Sequence, residues 1–284
     1  MPASGTNVSR VKKKPEVRKR VPLPEVISQL QSPGLGFERV KHIAGSTYQD
    51  ASTVIVIPTR GIAKNHNAKD SNVKDEAIPY GIAPQVIQTW LGLIAPMNQK
   101  RAILFTSGHE VGKAYDAMIA MIIKHPELSK WKYVMTLEDD NLPPPDAQIR
   151  LLESIEAFNL DAVSGIYFTK GEQNMPMAYG DPEEYKRTGM LDFRPRDIRE
   201  ALAAGQIMKV NGIAMGCALW RMELFRQIPA PWYVTLNDHI PGKGTVGMTQ
   251  DLKFCAEARR AGKQFGVDMR VKVGHLDVAS GTVF

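Results

Sequence analysis

At 284 residues, 43% of them apolar and 23% charged, the chain has the size and composition of a globular protein with one large domain or two small ones. Its formal net charge is +6, and no apolar run reaches the roughly 18 residues of a membrane-spanning helix, so we expect no membrane span. The N-terminus lacks the apolar segment of a secretory signal, and the two cysteines, Cys217 and Cys255, have no metal or redox spacing, so we expect a cytoplasmic protein with reduced core thiols.

A basic arm begins the chain. Residues 1–20 carry seven basic side chains and one acidic side chain, Glu16, a balance of +6 that leaves the rest of the chain neutral. Such an arm indicates binding to a polyanion, either nucleic acid or an anionic membrane surface, although a tail that only solubilises the chain has the same composition. Prolines and glycines in VPLPEV and QSPGLGF then mark a linker. We predict a flexible arm and linker over 1–40 and a single folded domain over 41–284.

Apolar runs of strand length alternate with helical patterns in the first half of this domain. TVIVIP, Thr53–Pro58, is a β-branched run typical of a strand buried on both faces, and RAILFTS, YVMTL and DAVSGIYF are further strands. Between them lie a long polar loop, 60–76, and the helical patterns PQVIQTWLGLIA, EVGKAYDAMIAMIIKH and DAQIRLLESIEAF. This order predicts an α/β sandwich with a mostly parallel central sheet, in which ligands bind at the carboxyl ends of the strands.

The second half of the domain is less regular. RDIREALAAG and MELFRQI predict short helices, and KVNGIAMGCALW between them, Lys209–Trp220, predicts a strand that contains two glycines. TQDLKFCAEARRAG predicts a helix that begins at Thr249 or a neighbour and ends before Gly262. QFGVDMRVKVGHL predicts a final strand pair or extended segment that ends at His275.

The stretch YVMTLEDDNLPPPD, Tyr133–Asp146, ends a buried-looking strand in Glu138, Asp139 and Asp140. Three adjacent carboxylates repel one another and lose hydration at such a position, so the triplet needs an explanation: a solvated turn, a helix cap or a metal site. The three prolines that follow stop the strand and stiffen the loop. Carboxylates at a strand's carboxyl end suit Mg²⁺ or Mn²⁺, which is often held by one or two carboxylates and substrate phosphates.

Four features in this order resemble the nucleotide-sugar glycosyltransferases of GT-A fold, close to the large inverting family 2 type, over about Ser52 to Leu276. The end of the first strand resembles their first nucleotide-contacting segment, and the acidic triplet resembles their DxD element. NGIAMGCALWRMELF resembles the loop and helix that line the donor sugar and the acceptor. Gln250–Asp251 with GVDMRVKVGHL resembles the xED element and the C-terminal histidine.

The resemblance implies a metal-dependent, inverting transfer of a sugar from a nucleotide sugar, more readily a uridine diphosphate sugar, to an acceptor hydroxyl. In this interpretation Asp251 is the catalytic base, and Asp140, Asp139 and His275 hold Mn²⁺ or Mg²⁺. The donor would contact the strand ends and the glycine loop through Pro58, Thr59, Arg60, Glu138, Asp139, Gly216 and Trp220. Residues of about 50–170 would form the nucleotide-sugar half, and residues 171–284 the acceptor half.

Two positions depart from the family pattern. Glu138 replaces the usual Asp and Gln250 the usual Glu, which leaves Asp140 as the best metal-ligand candidate and Asp251 as the base. Several site residues also have an ordinary structural interpretation: Asp251 as a helix cap and His275 as a core or turn histidine. The ordinary interpretation of Arg60 is a solvated loop residue. The aromatic residues Trp220, Trp232 and Tyr233 are either core residues or side chains that stack on a sugar or base.

The acceptor is predicted from the basic arm. A polyanion-binding arm favours DNA, so our hypothesis is an enzyme of bacteriophage type that adds a sugar to hydroxymethylated pyrimidines in the host cytoplasm. The alternatives are a small-molecule, protein or polysaccharide acceptor, or a non-catalytic nucleic-acid-binding module on a degenerate GT-A fold. A nucleotidyltransferase is a further alternative, but PTRG is a poor match to its glycine-rich phosphate loop.

Overall fold

The computed structural model describes residues 50–59, 62–63, 78–79, 81–203, 205–240 and 244–284. The basic arm and linker, Arg60 and nearly all of the polar loop 60–76 lie outside the described residues. From Asp50 to Phe284 the chain forms one compact unit. In the described part of the chain, no helix has the length and apolar character to cross a membrane.

Fifteen strands and seven α-helices are found in the described residues, together with one turn of 3₁₀ helix at Leu128–Lys130. The strands are β1 (Thr53–Thr59), β2 (Ile62–Ala63), β3 (Ile78–Pro79), β4 (Arg101–Ser107), β5 (Tyr133–Leu137), β6 (Asn141–Leu142), β7 (Ala162–Ile166), β8 (Ala178–Tyr179), β9 (Ile207–Val210), β10 (Gly212–Ile213), β11 (Cys217–Arg221), β12 (Leu236–Ile240), β13 (Gly244–Met248), β14 (Phe265–Lys272) and β15 (Gly274–His275). The helices are α1 (Pro84–Gly92), α2 (Val111–Lys124), α3 (Ala147–Ala157), α4 (Pro182–Thr188), α5 (Ile198–Ala203), α6 (Met222–Gln227) and α7 (Gln250–Arg260).

Seven strands form the central sheet, in the order β4-β1-β5-β11-β7-β14-β9. The pairs β4–β1, β1–β5 and β7–β14 are parallel, and β11 and β9 run against their neighbours. Five strands of this sheet therefore share one direction. The predicted α/β sandwich with a mostly parallel sheet is confirmed, and it is compatible with a Rossmann-like fold.

The β-branched run of β1 shows how the sequence dictates the two layers. Val54 and Val56 belong to a core on one face of the sheet, and Ile55 and Ile57 belong to a second core on the other face. Successive side chains of a strand point to opposite faces, so a strand buried on both faces must be apolar throughout. Helices α2, α6 and α7 cover the first core, and α1 and α3 cover the second.

Two predicted elements differ from the structure at their ends. Helix α1 begins at Pro84, as predicted, but ends at Gly92. The next residues are extended, and Ile94 N–H donates to the Pro145 carbonyl at 2.8 Å instead of continuing the helix. The segment KVNGIAMGCALW is not one strand: it supplies the end of β9, all of β10 and most of β11. Asn211 ends β9 there, and its side-chain amide donates to the carbonyls of Asp181 and Asp192 at 3.2 and 3.3 Å.

Candidate functional site

The carboxyl ends of β1, β4 and β5 lie side by side and form a cleft of about 300 Å³. Parallel neighbours in a sheet end at the same edge, which is why residues far apart in the sequence meet there. The cleft is lined by Pro58, Thr59, His109, Val111, Glu138, Asp139 and Asp140. The structure thus brings the predicted first segment and the acidic triplet together.

Backbone hydrogen bonds fix the triplet in place. The N–H of Glu138 donates to the Gly216 carbonyl at 3.3 Å, and the N–H of Leu276 donates to the Asp140 carbonyl at 2.7 Å. Immediately after the triplet, β6 pairs with β15 and sets Asn141 opposite His275. The triplet is therefore held between the loop before β11 and the C-terminal segment, which were two of the predicted site elements.

Gly216 lies where this loop approaches β6 most closely. A Cβ atom at Gly216 would lie 2.2 Å from Asn141 Oδ1 and 2.7 Å from Tyr167 Oη, so no larger residue fits without displacing the loop. Its N–H donates to Tyr167 Oη at 2.8 Å. Gly216 thus positions the strand end that carries Glu138, and its predicted contact with the donor stays a prediction.

Asp140 is the best-connected carboxylate of the triplet. It is 7% exposed, and its Oδ2 lies 2.6 Å from Lys170 Nζ. Its Oδ1 lies 3.8 Å from His275 Nε2. Burial opposes ionisation, but the interactions with His275 and Lys170 lower the pKa of Asp140 to about 2, so this group is a carboxylate at neutral pH.

The His275 ring is oriented by its other nitrogen. Nδ1 lies 2.7 Å from the Phe168 carbonyl, which can only accept, so Nδ1 carries the proton. With Nδ1 protonated, Nε2 can carry a second proton and donate toward Asp140 Oδ1, which is the interaction that lowers the pKa of Asp140. Without that proton, Nε2 offers a lone pair to a cation that it shares with Oδ1. The carboxylate oxygen suits Mn²⁺ or Mg²⁺, and the imidazole nitrogen favours Mn²⁺ of the two, when substrate phosphates supply further ligands.

Asp139 is the third predicted metal ligand, and it lines the cleft. The described residues contain no group of three His, Cys, Asp or Glu side chains with the geometry to hold a metal ion. The structure therefore does not bring Asp140, Asp139 and His275 together as one three-ligand set, and their roles as ligands stay a prediction.

Glu138 differs from the two aspartates in its charge. Burial, together with the negative charges of Asp140, Asp251 and Asp139, raises the pKa of Glu138 to about 8. It is therefore mostly a neutral acid at pH 7, which reduces the repulsion within the triplet. Together with the access of Glu138 and Asp139 to the cleft, this lowers the cost of ending a buried strand in three adjacent acidic residues.

Asp251 lies at the first turn of α7 and is 7% exposed. Its Oδ1 accepts a hydrogen bond from Leu252 N–H at 2.9 Å, and burial raises the pKa of its carboxyl above 3.8. Its neighbour Gln250 packs against Gly112, where a Cβ atom would lie 3.1 Å from Gln250 Cβ, and Gly112 adjoins Val111 of the cleft lining. The structure thus brings the start of α7 beside the cleft. The role of Asp251 as base stays a prediction, and its pKa is shifted in the direction that suits a base.

The beginnings of α2 and α7 meet beside the cleft. Glu110 caps α2 by accepting from Lys113 N–H at 3.0 Å, and it also accepts from the Thr235 hydroxyl at 2.9 Å. The same hydroxyl lies 3.4 Å from Gln250 Oε1, next to Asp251. Gln250, which replaces the family's usual Glu, therefore joins the two helix ends.

Trp220 does not line the site, which corrects a sequence prediction. It is fully buried, its ring contacts Phe225, Tyr233, Phe254 and Phe265, and its Nε1 donates to Thr136 Oγ1 at 3.1 Å. Successive side chains of β11 point to opposite faces of the sheet, and Trp220 points to the face covered by the core. Its closeness in sequence to the glycine loop does not determine this direction. Trp232 and Tyr233 are core residues as well.

Three residues of the site were not predicted from the sequence: His109, Val111 and Lys170. His109 follows β4 and lines the cleft, and the rule that ligands bind at strand ends could have identified it. Lys170 contacts Asp140 from a loop after β7, and no sequence pattern indicated this contact.

The comparisons with known proteins bear on the fold. No protein-family model matches the chain, and no curated protein matches its sequence. Among solved structures, the chain is similar to A197 from STIV, with a TM-score of 0.50 and 15% identity over 82% of this chain and 93% of A197. A likeness at this identity shows the α/β fold alone.

Proposed function

We propose that this chain is a nucleotide-sugar-dependent glycosyltransferase of GT-A type, which transfers a sugar to an acceptor hydroxyl with inversion. The observation that carries the proposal is the cleft with its acidic strand end and the Asp140–His275 pair, beside which lies the start of α7 with the buried Asp251. Fold likeness to A197 is compatible with this function, and the sequence resemblance supplies its reaction type.

The donor would bind in the cleft with its diphosphate between Thr59 and Asp140. Asp140 and His275 would hold Mn²⁺ or Mg²⁺, which when bound would offset the charge that develops on the departing diphosphate. Neutral Glu138 adds little repulsion to the bound phosphates. Asp139 lines the same cleft and orients the donor in this proposal.

Asp251 would act as the general base. It takes the proton from the acceptor hydroxyl as that oxygen forms a bond to the anomeric carbon, and the bond from this carbon to the diphosphate oxygen breaks on the opposite face. The diphosphate leaves with the electron pair. A raised pKa makes a carboxylate a stronger base, and the burial of Asp251 supplies that shift.

A binding screen tests the proposal. With Mn²⁺ present, we expect a uridine diphosphate sugar to raise the melting temperature, because a ligand at 100 times its Kd stabilises the native state by about 2.7 kcal/mol. Slow hydrolysis of that donor should accompany binding, and both should be lost in Asp140→Ala. Asp192→Ala is the matched control, since Asp192 pairs with Arg194 and lies outside the cleft lining. Absence of both binding and hydrolysis across nucleotide sugars would contradict the proposal.

For the acceptor we propose hydroxymethylated pyrimidines in DNA, bound through the basic arm. The seven basic residues of 1–20 would displace counterions from the phosphates, which makes binding depend on salt. Deletion of residues 1–20 should therefore weaken duplex binding at low salt and reduce the slope of log K against log salt by several units. Equal slopes for the full chain and the deletion would rule out the arm as the DNA contact and favour a small-molecule, protein or polysaccharide acceptor.

A further inference from the structure

Lys170 is positioned on a tightly closed loop at the edge of the proposed cation site. Thr169 closes the loop twice: its N–H donates to the Met175 carbonyl at 2.8 Å, and its Oγ1 accepts from Met175 N–H at 2.9 Å. The preceding residue, Phe168, provides the carbonyl that orients His275. The loop therefore fixes the backbone of Lys170 and the ring of His275 through one short segment.

The Lys170 ammonium forms an ion pair with one of the two carboxylate oxygens of Asp140. Its Nζ lies 2.6 Å from Oδ2, while His275 Nε2 faces Oδ1. A divalent cation bound between Asp140 and His275 would lie within a few ångströms of this ammonium, where two positive charges repel each other strongly. The carboxylate therefore cannot serve both cations equally well.

We propose that Lys170 and a divalent cation are alternatives at Asp140, and that the Lys170 ammonium binds the donor's diphosphate when no divalent cation is present. The inference rests on the proposed function, because it assumes a diphosphate in the cleft. An ammonium has three N–H donors and Asp140 accepts one of them, so donors are left for phosphate oxygens. The side chain is 29% exposed, which gives a ligand access to it.

Uridine diphosphate is the probe, and calorimetry with the full chain is the measurement, once in EDTA and once in MnCl₂. In EDTA we expect the wild type to bind the probe and Lys170→Met to bind it at least 10-fold more weakly, with Lys170→Arg between them because it keeps the charge. Lys186→Met is the matched control: Lys186 pairs with Glu183 and is 67% exposed, so this variant should bind like the wild type.

Binding of Mn²⁺ alone, followed by electron paramagnetic resonance, is the second measurement. Lys170→Met should bind Mn²⁺ several-fold more tightly than the wild type, because the competing ammonium is gone from Asp140. If Lys170 had only a structural role, its replacement would not weaken diphosphate binding and at the same time tighten Mn²⁺ binding. Melting curves show whether each variant is folded. If Lys170→Met does not fold, Lys170→Arg still tests how diphosphate and Mn²⁺ binding depend on this side chain.

Three outcomes overturn the proposal. If the wild type binds the diphosphate only with Mn²⁺, Lys170 is no more than an ion-pair partner of Asp140, and the proposed glycosyltransferase function stands. If Lys170→Met binds Mn²⁺ with wild-type affinity, Lys170 does not compete with the cation for Asp140. If neither uridine diphosphate nor a nucleotide sugar binds in either condition, the proposed function fails together with this inference.

Discussion

Asp251→Asn should lower the turnover of the nucleotide sugar by about 10²- to 10⁴-fold and leave donor binding within a few-fold of the wild type. The amide keeps the shape of the carboxylate and can keep the contact with Leu252 N–H, but it cannot accept the acceptor's proton. Turnover is measured as donor hydrolysis, and donor affinity by calorimetry on the same samples.

The same variant has an expected effect on stability that depends on pH. Burial raises the folded-state pKa of Asp251 above 3.8, so the stability that protonated Asp251 contributes is complete below about pH 4 and is lost as the pH rises through the folded pKa. Asn does not ionise. The free energy of unfolding of Asp251→Asn relative to the wild type should therefore increase from pH 4 to pH 8, as chemical denaturation can show.

Asp181→Asn is the matched control for Asp251→Asn. Asp181 is also an aspartate at a helix start, where it caps α4 by accepting from Glu183 N–H at 2.9 Å, but its side chain is 41% exposed and pairs with Arg196 at 3.5 Å. Its replacement should leave turnover unchanged. If Asp251→Asn also keeps full turnover, Asp251 is only a first-turn residue of α7 and the assignment of the base is wrong.

The central fold could be predicted because it depends on local patterns. The β-branched run at Thr53–Pro58 and the alternation of strands with helices reflect the period of each element and the burial of both sheet faces, which a single sequence displays. The place of Glu138–Asp140 follows from the same logic, since the end of an apolar run is the end of a strand and strand ends collect ligands.

Contacts between distant segments could not be predicted. Asp140 and Lys170 are 30 residues apart, and His275 reaches the Phe168 carbonyl across 107 residues. Neither pairing leaves a periodic trace in the sequence, because each depends on where two loops arrive after the sheet has formed. The raised pKa of Glu138 has the same origin: it depends on Asp251, which the fold brings from the start of α7.

The face of a short strand is equally hard to predict when glycines precede it. In KVNGIAMGCALW the pattern is apolar at almost every position, so it does not show which side chains of β11 face the core. In the structure Trp220 faces the core, where its ring is surrounded by four aromatic rings. The apolar character of Trp220 was readable from the sequence, and its direction was not.

Trp220→Ala should accordingly destabilise the fold by about 3–5 kcal/mol, the range for loss of a buried Trp or Phe side chain. The substitution removes the contacts with the four surrounding rings and leaves Thr136 Oγ1 without its indole donor, both inside a core that has no solvent to compensate. Denaturant unfolding measures the loss. Any fraction that folds should bind nucleotide sugar with wild-type affinity, because Trp220 lies outside the cleft lining.

Trp220→Phe separates packing from ligand contact. Phe keeps most of the ring contacts and loses the hydrogen bond to Thr136, so we expect it to cost less than Trp220→Ala and to leave donor affinity unchanged. A residue that stacked on the donor would behave in the opposite way: both variants would lose affinity while stability changed little. That result would mean that β11 presents Trp220 to the cleft and that the core position described above is wrong.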